Sequence, residues 1–431
     1  MTGFVQKKEK NRIFGLDITR AIAIILVVIA HTSGIFKLSN PPENIAARND
    51  VAVTEAQKNN VSASTYIIPP ATGNQQHILR HGRAGPLGVL GVELFFVLSG
   101  FLIGSILIKQ FLGSKKFTLK DIKNFLVRRW LRTLPNYWFV LTILVIISYG
   151  FNLHGIHLNI LGFYFFVQNL VTPHPNFFNE AWSLTIEEWF YLTIPFTIYC
   201  AAAIFRNADK HKLLLYTFSS YLLFFIVLRT INAFHPIYGA DFDDGIRKIV
   251  IFRLDAIMYG VLIALEMRNK NSFLLRHKLP LLLLSIMATP VIIYFMYYFE
   301  AGYIHANSVF YIPFNCVFLY ALLPFTFSLC LPYASVFSMK KLKPGTFERS
   351  VTYISRISYS IYLVHNNIFK LFFISHHAAN YGFAVMLFIL YISCVLAVST
   401  LLYKFIEQPI LRYRDSRYKA SNISGELKQS G

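Results

Sequence analysis

Charge is scarce in this chain, and acid is scarcer than base. Of 431 residues only 14% are Asp, Glu, Lys or Arg, divided 21 acids to 41 bases, where soluble domains carry about 25%. Apolar side chains fill the deficit: 55% of residues are hydrophobic and 16% aromatic, and the mean hydropathy is +0.49. That balance excludes an ordinary soluble domain and predicts an all-α polytopic membrane protein. Cysteine is nearly absent. The four present, Cys200, Cys316, Cys330 and Cys394, sit in apolar runs without metal-ligand spacing, so they read as packing residues and no metal site is expected. No internal repeat is visible, which weighs against repeat-built transporter folds. The net charge of +20 would indicate a nucleic-acid partner in a soluble protein. Here the bases gather between apolar runs, where they set topology and meet lipid headgroups, and no nucleic acid is expected.

What the chain does have is long hydrophobic runs with ionisable residues inside them. The first, residues 14–36 (FGLDITRAIAIILVVIAHTSGIF), holds Arg20 and His31. About 20 apolar residues span the hydrocarbon, and an arginine there is disfavoured by about 2.5–3.5 kcal/mol on insertion scales. A helix serving only as an anchor has no use for either residue. Their separation of eleven residues is close to three helical turns, which puts both side chains on one face, roughly 16 Å apart along the axis. The run is too long, and too polar, for a signal-peptide core and reads as a retained span.

The basic N-terminus, residues 1–12 with Lys7, Lys8, Lys10 and Arg12, belongs in the cytoplasm by the positive-inside rule. Residues 36–86 read as a polar external loop. A second span runs from 87 to 109 and contains Glu93, and the connection from 109 to 134 is strongly basic and internal. A third span covers 135–150. The apolar stretch 158–171 is short and reads as re-entrant or interfacial. Spans then fall near 183–204, 213–231, 249–267, 278–297, 308–332, 351–374 and 382–406. This register leaves the basic loops at 206–212, 268–278 and 340–349 inside, and the acidic Asp241, Asp243 and Asp244 outside. The expectation is one membrane domain over 13–410 with about ten transmembrane helices, a basic tail over 411–431, and both termini cytoplasmic.

Depth sorts the ionisable residues. His31, Glu93, Glu187, Glu188, Arg253 and Asp255 fall in a predicted outer layer, with His365 nearer mid-depth and Arg20 in the inner half. Intramembrane ionisable groups mark substrate or ion pathways, although Arg253 and Asp255 also read as a structural ion pair and Glu188 as a mere neighbour of Glu187. RRWLRTLPNYW packs Arg128, Arg129 and Arg132 at helical spacing at a membrane entrance, an arrangement suited to a phosphate-bearing ligand.

The chain resembles acyltransferase family 3, membrane proteins that O-acylate surface glycans and other acceptors. The resemblance rests on Arg20 and His31 with Asp17 ahead of them, GVELFFVLSGFLIG with Glu93 and Ser99, and Arg129 and Arg132. WSLTIEEWFYLTIP with Trp182 and Glu187, FRLDAIMYG with Arg253 and Asp255, ISYSIYLVH with Ser358, Tyr362 and His365, and FIEQP with Glu407 and Pro409 complete it. It implies transfer of an acyl group, commonly acetyl, from cytoplasmic acyl-CoA to a hydroxyl of an extracytoplasmic glycan or related acceptor, in the inner membrane. His31 accepts the hydroxyl proton or relays the acyl group, with Glu93 and Glu187 as its catalytic partners. Arg20, Arg129 and Arg132 hold the donor's phosphates, and Ser99, Trp182, Arg253, Asp255, Tyr362 and His365 line the substrate path. The chain reads as the stand-alone form, without a C-terminal hydrolase-like domain. The rival class is a proton-coupled transporter or flippase, since histidines and carboxylates across a bilayer also make a proton relay.

Overall fold

The computed structural model describes residues 12–32, 85–150, 160–235, 237, 243–306, 315–338, 345–373 and 381–427. The expected external loop at 36–86 lies outside the described residues except for its last two, which begin a helix. Among the described residues the chain is helical throughout: α1 Phe14–Thr32, α2 Gly85–Gly113, α3 Leu119–Gly150, α4 Ile160–Tyr164, α5 Ala181–Ile204, α6 Lys210–Phe234, α7 Asp255–Glu266, α8 Lys278–Ala306, α9 Tyr320–Ser328, α10 Thr346–Phe373, α11 Tyr381–Leu402 and α12 Gln408–Leu427. Seven stretches are long and apolar enough to cross a membrane. The protein is a multi-pass membrane protein.

The outward faces show what solvent this chain is built for. On α1 the exposed side chains are Ile22, Ile25 and Ile29, on α6 Leu223 and Phe224, on α8 Leu283 and Met287, and on α11 Met386 and Ile389. Apolar residues turned outward at helical spacing face lipid, where burial inside protein gains little hydrophobic energy. Polar residues therefore collect inside, against the pattern of a soluble protein.

One stretch differs from the sequence expectation, and a second takes a short form. The run 249–267 is not one spanning helix. It is a 3-10 turn at Val250–Phe252 followed by α7 of 12 residues, about 18 Å long, too short to cross alone and nearly all buried among its neighbours. The stretch 158–171 contributes only the five-residue α4. After it the chain turns through Phe166, a non-glycine residue at φ 57°, and fastens onto the start of α5. Gln168 donates to Thr185 Oγ1 at 2.6 Å, Asn169 to the Trp182 carbonyl at 3.2 Å, and Trp189 to the Phe166 carbonyl at 2.7 Å.

The core is a stack of α1, α2 and α7, with α10 also packed against α1. Small residues set its spacing. A Cβ on Gly260 of α7 would stand 2.0 Å from the Val97 carbonyl oxygen of α2, and one on Gly100 would stand 1.9 Å from the Ile257 carbonyl oxygen. The two helices touch backbone to backbone, the close approach that small residues permit where dispersion drives association. Gly260→Ala must push α7 off α2 and is expected to cost about 2 kcal/mol or more, read as a lowered unfolding temperature of the purified protein. An unchanged temperature would contradict the close packing.

Candidate active site

On α1 the lipid-facing isoleucines lie opposite Arg20 and His31, as about 100° per residue requires. Arg20 is held by a polar cluster at the N-terminal end of the helix. Asp17, buried, accepts from Arg12 at 2.9 and 2.6 Å and from Ser355 Oγ at 2.7 Å, and lies 3.7 Å from Arg20. Arg20 itself donates to Ser355 Oγ at 3.2 Å. Asp17 thus serves as the anchor that aims Arg20.

Arg20 opens into a cavity walled by α1, α2, α3, α5 and α10. Arg129 and Arg132, one turn apart on α3, line it as well, as do Ser99, Glu187 and Tyr362. Much of the remaining wall is apolar, including Phe95, Phe96 and Leu102. A largely apolar chamber with convergent charges suits a small-molecule ligand. Glu187 Oε2 accepts from Tyr191 Oη at 2.9 Å, and that hydroxyl shares a 2.5 Å hydrogen bond with Ser99. Glu188, a turn-offset neighbour, points instead to α3, where its Oε1 accepts from Thr133 at 2.7 Å. From a further side comes Glu407, on the π-turn Tyr403–Glu407. It accepts from Ser360, which accepts from Asn136, each at 3.0 Å, and it lies within electrostatic reach of Arg20 and Arg132.

His31 sits beyond the cavity. Its Nδ1 lies 2.9 Å from the Val27 carbonyl of its own helix. A carbonyl only accepts, so Nδ1 carries the proton and Nε2 is the basic nitrogen. His365 repeats this arrangement on α10, with Nδ1 2.8 Å from the Tyr362 carbonyl. The two imidazoles meet edge to face with centroids 4.9 Å apart, and Tyr362 packs on His365 at 5.7 Å.

The structure corrects two expectations. Glu93 does not orient His31: its one hydrogen bond among the described residues is from Arg253, both groups being fully buried at the α2–α7 contact. Arg253 and Asp255 are not an ion pair with each other. Asp255 takes Arg229 at 2.6 Å, while Arg253 lies over the Tyr320 ring at 4.2 Å. Their neighbouring positions on a turn point the two side chains to different helices. Glu187 faces Arg20, Arg129 and Arg132. Trp182 stands apart from these, between Arg247 at 4.5 Å and Phe96 at 6.1 Å. Arg229 went unnoticed in the sequence, although an arginine inside the apolar run YLLFFIVLRTINAF carries the same signal as Arg20.

Residues 13–404 match the family model described as an acyltransferase domain. The chain belongs to acyltransferase family 3. Among curated proteins it is similar to the O-acetyltransferase OatA of Staphylococcus aureus (strain NCTC 8325 / PS 47), 25% identical over 343 residues, covering 75% of this chain and 52% of that protein. It is also similar to the putative O-acetyltransferase SACOL0978 of Staphylococcus aureus (strain COL), 24% identical over 361 residues, covering 78% and 54%. The chain spans about half the length of these relatives. No solved structure gives a significant match. In this family 3 chain the arginine cavity and the histidine pair are neighbours, joined through Tyr362.

The buried pairs yield a stability prediction. Glu93→Gln removes one member of a desolvated pair and should cost about 3–5 kcal/mol, whereas Glu93→Met with Arg253→Met should recover most of it. Thermal unfolding of the three proteins in one detergent decides this. Equal unfolding temperatures for wild type and Glu93→Gln would remove the pair from the scaffold.

Proposed function

We propose that this chain is an O-acyltransferase of the cytoplasmic membrane. On this reading it moves an acyl group, acetyl by analogy with its relatives' names, from cytoplasmic acyl-CoA to a hydroxyl of an extracytoplasmic glycan or related acceptor. The observation that carries the reading is the joining of two chemistries along one helix. Three arginines line one chamber, and an imidazole with its basic Nε2 defined lies roughly 16 Å further along α1. Guanidinium forks suit the phosphates of CoA, and a long, flexible pantetheine arm suits the separation between phosphates and base. A hydroxyl is a poor nucleophile until a base takes its proton, and a neutral histidine near pH 7 is matched to that task. Family membership favours this chemistry over the proton-coupled transporter, which would consume no thioester.

The proposed orientation has ten passes, the sixth made by the broken segment that ends in α7, with both termini inside. It keeps the basic connections α5–α6 and α7–α8 in the cytoplasm, as the positive-inside rule requires. Cysteines placed at 208 and 272 in a cysteine-free background should resist membrane-impermeant labelling in intact cells. Strong labelling of either would invert the topology.

The catalytic test contrasts two residues. His31→Ala should lower acyl transfer by about 10²–10⁴-fold while acyl-CoA still binds. Wild-type activity should fall on the acid side, because protonation removes the basic lone pair. Arg132→Lys keeps the charge but loses the fork, so it should chiefly weaken acyl-CoA binding and leave the pH profile in place. Near-normal turnover by a folded, donor-binding His31→Ala protein would end the mechanism.

A further inference from the structure

Under the acyl-transfer reading, one charge has no partner assigned so far. When the acceptor oxygen attacks the thioester carbon, the carbonyl π pair moves onto the carbonyl oxygen and makes an oxyanion. That carbon must lie within a bond length of the hydroxyl whose proton goes to His31. Arg20 is eleven residues away, roughly 16 Å along the axis, and Arg129 and Arg132 belong to the same end of the cavity as Arg20. The phosphate-binding arginines are therefore badly placed for the oxyanion, and the buried site needs a donor of its own near the histidines.

Two hydroxyls belong to the cavity wall that adjoins the histidines. Tyr362 and Ser183 both line the cavity. Tyr362 lies one turn before His365 on α10 and packs against its ring, and His365 packs against His31. The Tyr362 and Ser183 hydroxyls are hydrogen-bonded to each other. Each also approaches the Glu180 main-chain oxygen, Ser183 at 3.3 Å and Tyr362 at 3.4 Å. The ordinary O–H···O distance is about 2.7–2.8 Å, so the Tyr362 bond to Glu180 is long and cheaply exchanged. Phe95, in edge contact with the Tyr362 ring at 6.2 Å, holds the phenol from the other side.

We infer that the Tyr362 hydroxyl is the oxyanion donor, polarised by Ser183. Ser183 donates to the Tyr362 oxygen, and Tyr362 turns its own proton from the Glu180 carbonyl to the thioester carbonyl oxygen. A bond to an anion is stronger than the one given up, and the bond from Ser183 strengthens the phenol as a donor. The acceptor O–H breaks, its proton goes to His31 Nε2, and the new C–O bond forms as the oxyanion settles on Tyr362. Collapse of the intermediate breaks the C–S bond. The thiolate takes the proton from His31, leaving the ester, free CoA thiol and both residues unchanged. Tyr362 is thereby a catalytic residue in its own right, distinct from the base and from the phosphate site.

The experiment measures release of CoA thiol from acetyl-CoA by the full chain in lipid nanodiscs with a hydroxyl acceptor, and acetyl-CoA binding by calorimetry. Tyr362→Phe keeps the ring and its contacts, and should lower kcat by about 10²–10³-fold with KM and affinity for acetyl-CoA within about twofold. The acid limb of the pH profile, set by His31, should not move. Ser183→Ala should lower kcat less, and should cost nothing more when added to Tyr362→Phe. A Tyr362→Phe protein with near wild-type kcat, or with unchanged kcat and a raised KM, overturns the inference. So does a full, independent loss from Ser183→Ala in the Tyr362→Phe background. Wild type and His31→Ala serve as the reference: if wild type releases no thiol, the acyl-transfer reading falls. If wild type is active, His31→Ala is not, and Tyr362→Phe runs normally, the oxyanion assignment alone falls.

Discussion

A charge inside hydrocarbon must be turned inward and given a partner, and most of this structure follows from that constraint. Arg20, Arg229 and Arg253, with Asp17, Glu93 and Asp255, would each be prohibitive on the lipid face. They are placed instead at the contacts between helices, and the contacts are shaped to take them. Glu93 with Arg253 and Arg229 with Asp255 fill the junction of α2, α6 and α7, where glycines bring α2 and α7 together backbone to backbone. Asp17 with Arg12, Arg20 and Ser355 ties α1 to α10 in the same way.

These two groups of charges differ in what they leave over. In the α2–α7 junction the guanidiniums are spent on carboxylates and on the Tyr320 ring, and none of the four residues lines the cavity. Buried pairs of this kind add little net stability, but losing one partner is costly, so they specify how the helices meet. Around the cavity the bases outnumber the acids: Arg20, Arg129 and Arg132 line it, with Glu187 as the one lining acid. The excess of positive charge facing an open chamber is what a polyanionic ligand would neutralise, and the proposed donor supplies that charge.

The sequence alone was enough to indicate an all-helical membrane protein, its family, and the shared face of Arg20 and His31, because each is a local pattern or a chain-wide composition. Pairings were not legible. Glu93 and Arg253 are 160 positions apart, and depth arithmetic treated every ionisable group in one layer as a candidate partner for every other. Whether Glu93 meets α1 or α7 depends on which face of α2 carries the glycines, a matter of packing. The broken segment before α7 was hidden for a related reason: a buried helix is apolar all round whether it has 12 residues or 20. Arg229 was readable by the rule that singled out Arg20, and only the length of its apolar run concealed it.

The two histidines show how little sequence a site needs when a helix supplies the second partner. Each imidazole gives its Nδ1 proton to a carbonyl of its own helix, three or four residues back, so no distant residue has to set the tautomer. A carboxylate in that place would also favour the charged imidazolium, which is useless as a base. A backbone carbonyl fixes the tautomer without bringing a charge. The substitution of a carbonyl for the expected glutamate therefore suits the base proposed for His31, and it leaves Glu93 to the scaffold. It also makes the site sensitive to α1 itself. Any distortion of the last turn of that helix moves Val27, releases Nδ1 and lets the ring rotate, so the packing of α1 on α2 and α10 is part of the proposed chemistry.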